Sequence, residues 1–346
     1  MSESPNLSSS YLGLQLPHPF IVGASPLADT LDSVRQLEDA GSAAIVMRSL
    51  FEEQITATET GRIRHMDPFD KQFATVLSYF PAPDRYIFGP VEYLEHLRRI
   101  KTAVSIPVVA SLNGTSAETW LMFTRQLEQA GANAVELNTY EVVADLNQAG
   151  TSVERDMVAA VGDLKRDLAI PIALKLSPYF TSFGNLARGL DQAGVDGLVL
   201  FNRFYQADFD IDTLTVTPRL ELSRSPELLL RLRWLAILHG RVRASLGVCG
   251  GIAEPADAVK AILAGADAVQ MVSAVLRRGP SYLGVMRKGL SDWMDAHAFT
   301  TLDAVRGKLS LVNIPDPDAF ERASYLNTLV GWNGASPDTD AGEPRG

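Results

Sequence analysis

The sequence predicts an eight-stranded parallel α/β barrel, and two recurring patterns predict it. The first is a helix end, a glycine and a buried strand. It occurs four times, as Asp39-Ala-Gly-Ser-Ala-Ala-Ile-Val46, Gln129-Ala-Gly-Ala-Asn-Ala-Val-Glu136, Gln192-Ala-Gly-Val-Asp-Gly-Leu-Val199 and Leu263-Ala-Gly-Ala-Asp-Ala-Val-Gln270. The second is a strand that opens after proline, in Ile106-Pro-Val-Val-Ala-Ser111 and Ile170-Pro-Ile-Ala-Leu-Lys175. Together with Phe20-Ile-Val-Gly23 and Leu246-Gly-Val-Cys249, these give strands one, three, five and seven. The glycine pattern gives strands two, four, six and eight. Alternating β and α units of this kind favour a (β/α)8 TIM barrel. A doubly wound open sheet is the rival, but it lacks an even fourfold recurrence.

Before the first strand, Tyr11-Leu-Gly-Leu-Gln-Leu16 alternates and Pro17-His-Pro19 turns the chain, which reads as a short N-terminal hairpin. Leu31, Val34, Leu37 and Ala40 share one face of a helix over 30–40, with Asp29 or Thr30 as its cap. Three connections are too long for simple turns: 50–90, 141–168 and 203–243. The second contains a helix. The third contains a small hairpin, from Thr213-Leu-Thr-Val-Thr217 and Leu220-Glu-Leu222, and then a Leu-rich helix. All three follow even-numbered strands, so they belong to the C-terminal face, where barrels carry their chemistry. A last helix is expected over 319–330. The domain reading is a flexible segment over 1–10, one barrel over 11–330 and a disordered tail over 331–346, rich in Gly, Pro and Asp.

The chain has 346 residues, 46% hydrophobic and 21% charged, which is ordinary for a globular domain. Its net charge of −10 argues against nucleic acid or an anionic membrane as the main partner, since both reward a basic surface. No apolar run reaches the ~20 residues of a membrane helix, and residues 1–10 have no signal-like apolar core. The single cysteine, Cys249, rules out an intrachain disulfide framework and fits a reducing, cytoplasmic setting. Cys249 itself reads as a small buried hydrophobe at a strand end.

Strand-end residues converge over the barrel mouth: Ser25, Arg48, Ser49, Asn113, Asn138, Lys175 and Asn202. The two turns Cys249-Gly-Gly-Ile252 and Gln270-Met-Val-Ser273 follow strands seven and eight, where barrels commonly hold a phosphate. Gly250 and Gly251 have no side chain to block an oxygen, though a tight βα turn without a ligand also accounts for them. Lys175 lies inside the apolar run Ile172-Ala-Leu-Lys-Leu176. A charge there needs a partner, so it is either half of a structural ion pair or a cation facing a bound anion or electron-rich ring. Glu136, inside a strand, is the expected partner of a barrel Lys or Arg. Arg48 could pair with Glu52 or Glu53. The five histidines show no metal-ligand spacing, so no metal is expected.

These residues resemble the dihydroorotate dehydrogenase family, in its soluble class 1 form and the "dihydroorotate dehydrogenase-like" subgroup. The resemblance runs from Tyr11-Leu-Gly-Leu to Arg306-Gly-Lys-Leu309 and is most specific in Cys249-Gly-Gly-Ile252, Ala264-Gly-Ala-Asp-Ala-Val-Gln270 and Arg278-Gly-Pro280. Ile45-Val-Met-Arg-Ser-Leu-Phe-Glu-Glu53 resembles the subgroup segment. The resemblance implies a flavin mononucleotide (FMN) barrel that oxidises dihydroorotate to orotate in pyrimidine biosynthesis. It also implies that Gly250, Gly251, Val272 and Ser273 wrap the flavin phosphate, while Lys175 contacts the ring and ribityl side and stabilises anionic reduced flavin. Ala24, Ser25, Arg48, Ser49, Asn138 and Asn202 would line the ring, with Asn113, Asn138 and Asn202 toward the substrate. A homodimer is implied on the same basis.

The sequence also departs from the family. After strand four the family runs Asn, two residues, Cys or Ser, Pro, Asn; here Asn138 is followed by Thr139-Tyr-Glu-Val142. Glu141 stands at the position of the catalytic base, with Tyr140 beside it, and the Pro-Asn pair is missing. Arg48 replaces a flavin-contacting lysine, which is not a neutral exchange. Ser273 stands for the usual Thr and Val272 for Gly. Three alternatives stay open: a flavoprotein with another substrate, a catalytically silent flavin-binding protein, and a non-redox lyase or isomerase using Lys175 as a Schiff base.

Overall fold

The computed structural model describes residues 4–55, 88–114, 116–139, 141–203, 207–320 and 322–331. A short antiparallel hairpin, β1 (Ser9–Tyr11) and β2 (Leu14–Leu16), precedes the barrel. The barrel strands are β3 (Phe20–Val22), β4 (Ile45–Val46) continued by β5 (Leu50–Phe51), β6 (Val108–Asn113), β7 (Ala134–Asn138), β8 (Ile172–Leu176), β9 (Gly197–Leu200), β12 (Ser245–Cys249) and β13 (Ala268–Met271). All pair in parallel, and β13 returns to β3, which closes the barrel. Between β9 and β12 lies a second hairpin, β10 (Ala207–Asp210) and β11 (Thr215–Pro218).

The outer ring consists of α1 (Leu31–Asp39), α2 (Pro90–Ala103), α3 (Ala117–Gln129), α4 (Gly150–Asp167), α5 (Phe183–Ala193), α6 (Leu228–Leu238), α7 (Pro255–Ala264), α8 (Ser273–Arg278) and α9 (Tyr282–Ala296), followed by α10 (Arg322–Gly331). Their buried faces pack on the outward side chains of the strands in one apolar cluster. The fourfold glycine pattern has a common cause. Gly41, Gly131, Gly194 and Gly265 all take a left-handed backbone, with φ of 87°, 93°, 95° and 118°. After each, the next N–H reaches back five residues: Ser42 to Leu37, Ala132 to Leu127, Val195 to Leu190 and Ala266 to Ala261. This is the Schellman closure, which satisfies the last helix carbonyls and turns the chain into the following strand.

Inside the barrel a separate small cluster lies toward the N-terminal ends of the strands, built from Ala44, Ala134, Ala173 and Ala268 with Tyr11, Leu12 and Leu16 of the hairpin. The small residues leave room for the hairpin, which plugs the barrel floor. A Cβ at Gly247 would lie 3.0 Å from the Tyr11 hydroxyl, and one at Gly197 would overlap Leu12.

Three expectations change in detail. The hairpin turns at Leu12-Gly13, with φ of 55° and 73°, and not at Pro17–Pro19. Positive φ at both central residues is what a two-residue turn matching the strand twist requires. Two residues of the segment expected to be flexible are tied down: Asn6 N–H donates to Thr300 O at 2.9 Å and Ser9 Oγ to Asp267 O at 2.6 Å. The second hairpin begins earlier than expected, at Ala207, and Leu220–Leu222 is not one of its strands. Most of the 50–90 connection, Tyr140 and the tail beyond Gly331 lie outside the described residues.

Candidate active site

Three strand-end groups interlock first. β4 and β5 both pair with β6, through Val46↔Val109 and Leu50↔Leu112. Four steps on one side meet three on the other, so the second barrel strand carries an extra residue at Met47–Ser49. Such a bulge re-aims side chains, and here it turns Ser49 into the mouth. Ser49 Oγ lies 2.8 Å from Ser111 Oγ, and Asn138 Nδ2 donates to both hydroxyls at 2.8 Å. Ladder pairing places Asn113 beside Asn138, and Asn138 beside Lys175.

Lys175 is 4% exposed and sits below this cluster. Its Nζ donates to Glu136 Oε1 at 3.2 Å and to Gln270 Oε1 at 3.1 Å. Gln270 Nε2 donates in turn to Glu136 Oε2, closing a ring across β7, β8 and β13. Burial opposes the ammonium, but Cys249 and Glu136 beside it outweigh burial and raise its pKa above the ordinary lysine range. An ammonium has three protons. Two are used in this ring, and Lys175 also lines the cavity above it.

That cavity, about 480 Å³, fills the mouth and falls within the range of cofactor sites. Ala24, Ser25, Arg48, Ser49, Asn113, Asn138, Lys175, Asn202, Gly250, Val272 and Ser273 all line it. Phe201, Ile252, Leu222 and Leu276 add apolar wall. The described lining carries three cations, Arg48, Lys175 and Arg203, and no carboxylate. Arg48 pairs with Asp29, at 2.8 and 2.7 Å, and not with Glu52 or Glu53. Glu52 instead accepts from Ser116 N and Thr119 Oγ1 at the start of α3.

Other predicted residues lie elsewhere. Gly251, with φ 78°, does not line the cavity. It faces the start of α6, where a Cβ would lie 2.5 Å from the Leu228 nitrogen. Glu141 is exposed and borders a separate cavity of about 730 Å³ with Tyr179 and Phe180. Tyr140 is outside the described residues. At the Ser273 end the chain folds over: Ser223 N and Oγ both donate to Ser273 Oγ at 3.0 Å, and Arg277 holds the carbonyls of Leu222 and Ser223 at 2.7 and 2.8 Å. Ser111, Gln270, Arg203 and Ser223 were not anticipated. Inward alternation with Asn113 and Val109 could have found Ser111, and the glycine repeat, which aligns Gln270 with Glu136, could have found Gln270; only the fold brings Arg203 and Ser223 in.

Residues 88–294, more than half of the chain, match the family model described as dihydroorotate dehydrogenase. The chain belongs to the dihydroorotate dehydrogenase family. Dihydroorotate dehydrogenase relatives cover nearly all of it. A protein of Aeropyrum pernix, provisionally named dihydroorotate dehydrogenase A (fumarate), is 28% identical over 315 residues, covering 89% of this chain and 98% of its own. The dihydroorotate dehydrogenase B (NAD(+)) catalytic subunit of Methanothermobacter thermautotrophicus is 24% identical, covering 87% and 97%. The PreA subunit of NAD-dependent dihydropyrimidine dehydrogenase from Escherichia coli K12 is 24% identical, covering 93% and 80%. Family membership makes the chain a dihydroorotate dehydrogenase-like oxidoreductase. The matched segment contains β6–β9, β12 and β13, and with them Lys175, Glu136, Gln270 and the Gly250 turn.

Proposed function

We propose that this chain binds FMN in the mouth cavity and oxidises a small cyclic carboxylate at a carbon–carbon bond, dihydroorotate or a close analogue, as in pyrimidine biosynthesis. The observation that carries this reading is the buried Lys175 ammonium, held charged by Glu136, beneath a cavity that mixes amides, hydroxyls, apolar wall and a glycine turn. That donor set suits an aromatic ring with polar edges and an anionic tail. Bound there, FMN would supply two-electron acceptor chemistry.

The chain's own residues would do the rest. Lys175 offers its remaining proton and a fixed positive charge to a developing anion. Glu136 and Gln270 fix the direction of Nζ. Asn113, Asn138 and Asn202 offer amide donors and acceptors to the ring edge and substrate. The Gly250 backbone forms part of the wall that Val272 and Ser273 also line, where an anionic tail could be met. Phe201 and Ile252 keep water from the site. Glu141 borders a different cavity, which leaves Tyr140 as the candidate to take the substrate proton. The lone thiol and the acidic composition support a cytoplasmic enzyme, and no helix among the described residues is long and apolar enough to cross a membrane. A homodimer follows from the resemblance to class 1 enzymes.

A second reading is favoured by one observation: Glu141 faces a different cavity, and the mouth lining among the described residues contains no carboxylate or imidazole. On that reading the protein binds flavin but acts on another substrate, or on none. The Schiff-base alternative is disfavoured, because it needs a neutral Lys175 amine and the surroundings hold the ammonium.

The test is anaerobic mixing of FMN-loaded protein with dihydroorotate. Bleaching of the flavin absorbance is expected. A protein that takes up no FMN on reconstitution refutes the flavin reading. A loaded protein that bleaches only with other donors selects the second.

A further inference from the structure

Arg231 is a buried cation that the site described above does not use. It lies on the first turn of α6 and is 6% exposed. Its Nε donates to Cys249 O, and its Nη1 donates to Glu227 O at 2.6 Å. Both acceptors are neutral carbonyls. The carboxylate one turn back, Glu227, gives both oxygens to Arg203, at 3.0 and 2.9 Å. No described carboxylate forms an ion pair with Arg231. A guanidinium stays protonated in a protein, so this is a charge held out of water without a bonded counter-ion. That arrangement is costly unless something compensates it.

Its location says what could. A Cβ on Gly250 would lie 2.7 Å from Arg231 Nη2 and 3.0 Å from Cζ. The guanidinium therefore takes the space that a side chain at position 250 would occupy. Gly250 itself is cavity wall, next to Ser273, while Arg231 is behind the wall. The turn has two consecutive left-handed glycines, with φ of 87° and 78°. Only a residue without a side chain allows both the backbone and the cation to come this close. The cation faces the back of a stretch of wall formed by glycine backbone.

We propose that Arg231 is the counter-charge for a phosphate monoester bound on the cavity side of the Gly250 turn. It acts through the turn, holding the Cys249 and Glu227 carbonyls and setting the local potential, and is a positioning residue that never touches the ligand. The phosphate as part of a flavin rests on the function proposed above; the phosphate as such does not.

The experiment compares FMN with riboflavin, which lacks the phosphate, on apo-protein by fluorescence quenching. R231M and R231K are used. Methionine keeps much of the arginine stem and removes the charge and its donors to the two carbonyls, so a cooperative thermal melt of R231M is the entry condition for the comparison. R231M should lose FMN affinity on the order of tenfold, with riboflavin affinity unchanged, for loss of one charge at short range in a partly shielded site. R231K should keep most of the preference for FMN. Equal losses for both flavins, or none, overturn the proposal. If R231M does not fold, collapse of the FMN-to-riboflavin ratio in R231K overturns it. Calorimetry with inorganic phosphate separates the two ideas. Wild type that binds phosphate but no flavin removes the cofactor reading and leaves Arg231 standing; R231M that binds phosphate as wild type does removes Arg231.

Discussion

Lys175 and Glu136 meet because ladder pairing sets β7 beside β8 and both side chains point into the barrel. Removing one partner of such a pair strands the other charge, so E136Q should lose about 3–5 kcal/mol in urea unfolding. Folding raises the Lys175 pKa, so its contribution is fully present below the ordinary lysine range and is lost only as pH climbs through the higher folded value. Between pH 6 and 9 Lys175 should therefore add no slope to the stability of the wild type. His18 is the opposite case. Burial, and then the charge of Arg287, lower its pKa to about 4, while its Nδ1 accepts from Phe20 N–H at 3.3 Å. The unfolded chain takes up this proton first, so stability should be full above about pH 6.5 and fall from there toward pH 4, by on the order of 3 kcal/mol for a shift this large. Chemical unfolding of H18N across that range should show a flatter profile than wild type.

The elements explain why two left-handed glycines differ in tolerance. Gly131 closes α3 with open space where a Cβ would go. Its replacement by Ala should cost only the left-handed backbone, about 1–2 kcal/mol. Gly251 adds an overlap with the Leu228 backbone, so G251A should destabilise clearly more and shift the start of α6. Thermal melts of the two variants side by side check this order. The hairpin β1–β2 is a plug as much as a pair of strands. Leu12 is buried at its turn against the glycine-lined floor. L12A should cost about 2–5 kcal/mol, the range for buried leucine truncation. A loss below 1 kcal/mol would mean that the plug is loosely seated. The bulge between β4 and β5 is the element with most bearing on function, since an unbroken strand would not turn Ser49 onto Asn138.

At the scale of the molecule, closure is by β13 on β3, so the last barrel strand depends on the first. A chain lacking residues 1–23 should not fold, and circular dichroism with dye binding would reveal an open, apolar state; a cooperative melt from that fragment contradicts the assignment. Much of this was legible in the sequence because it is local. Helix periodicity, proline at strand starts and glycine after each helix are properties of short windows, and the four Schellman closures follow from them. The pairing of Lys175 was foreseeable in kind, since a buried charge in a strand demands a partner. What could not be read were the contacts between distant segments. Arg231 beneath Gly250, Ser223 over Ser273, Asp29 on Arg48 and Glu141 turned into a second cavity each depend on where a loop comes to rest. Sequence alone thus determined the barrel, the order of its strands and the set of polar strand ends, because backbone chemistry and burial act over a few residues. Tertiary structure alone decided which of those ends share a cavity and which cations stand behind its wall, because that depends on side chains far apart in the chain filling the same space.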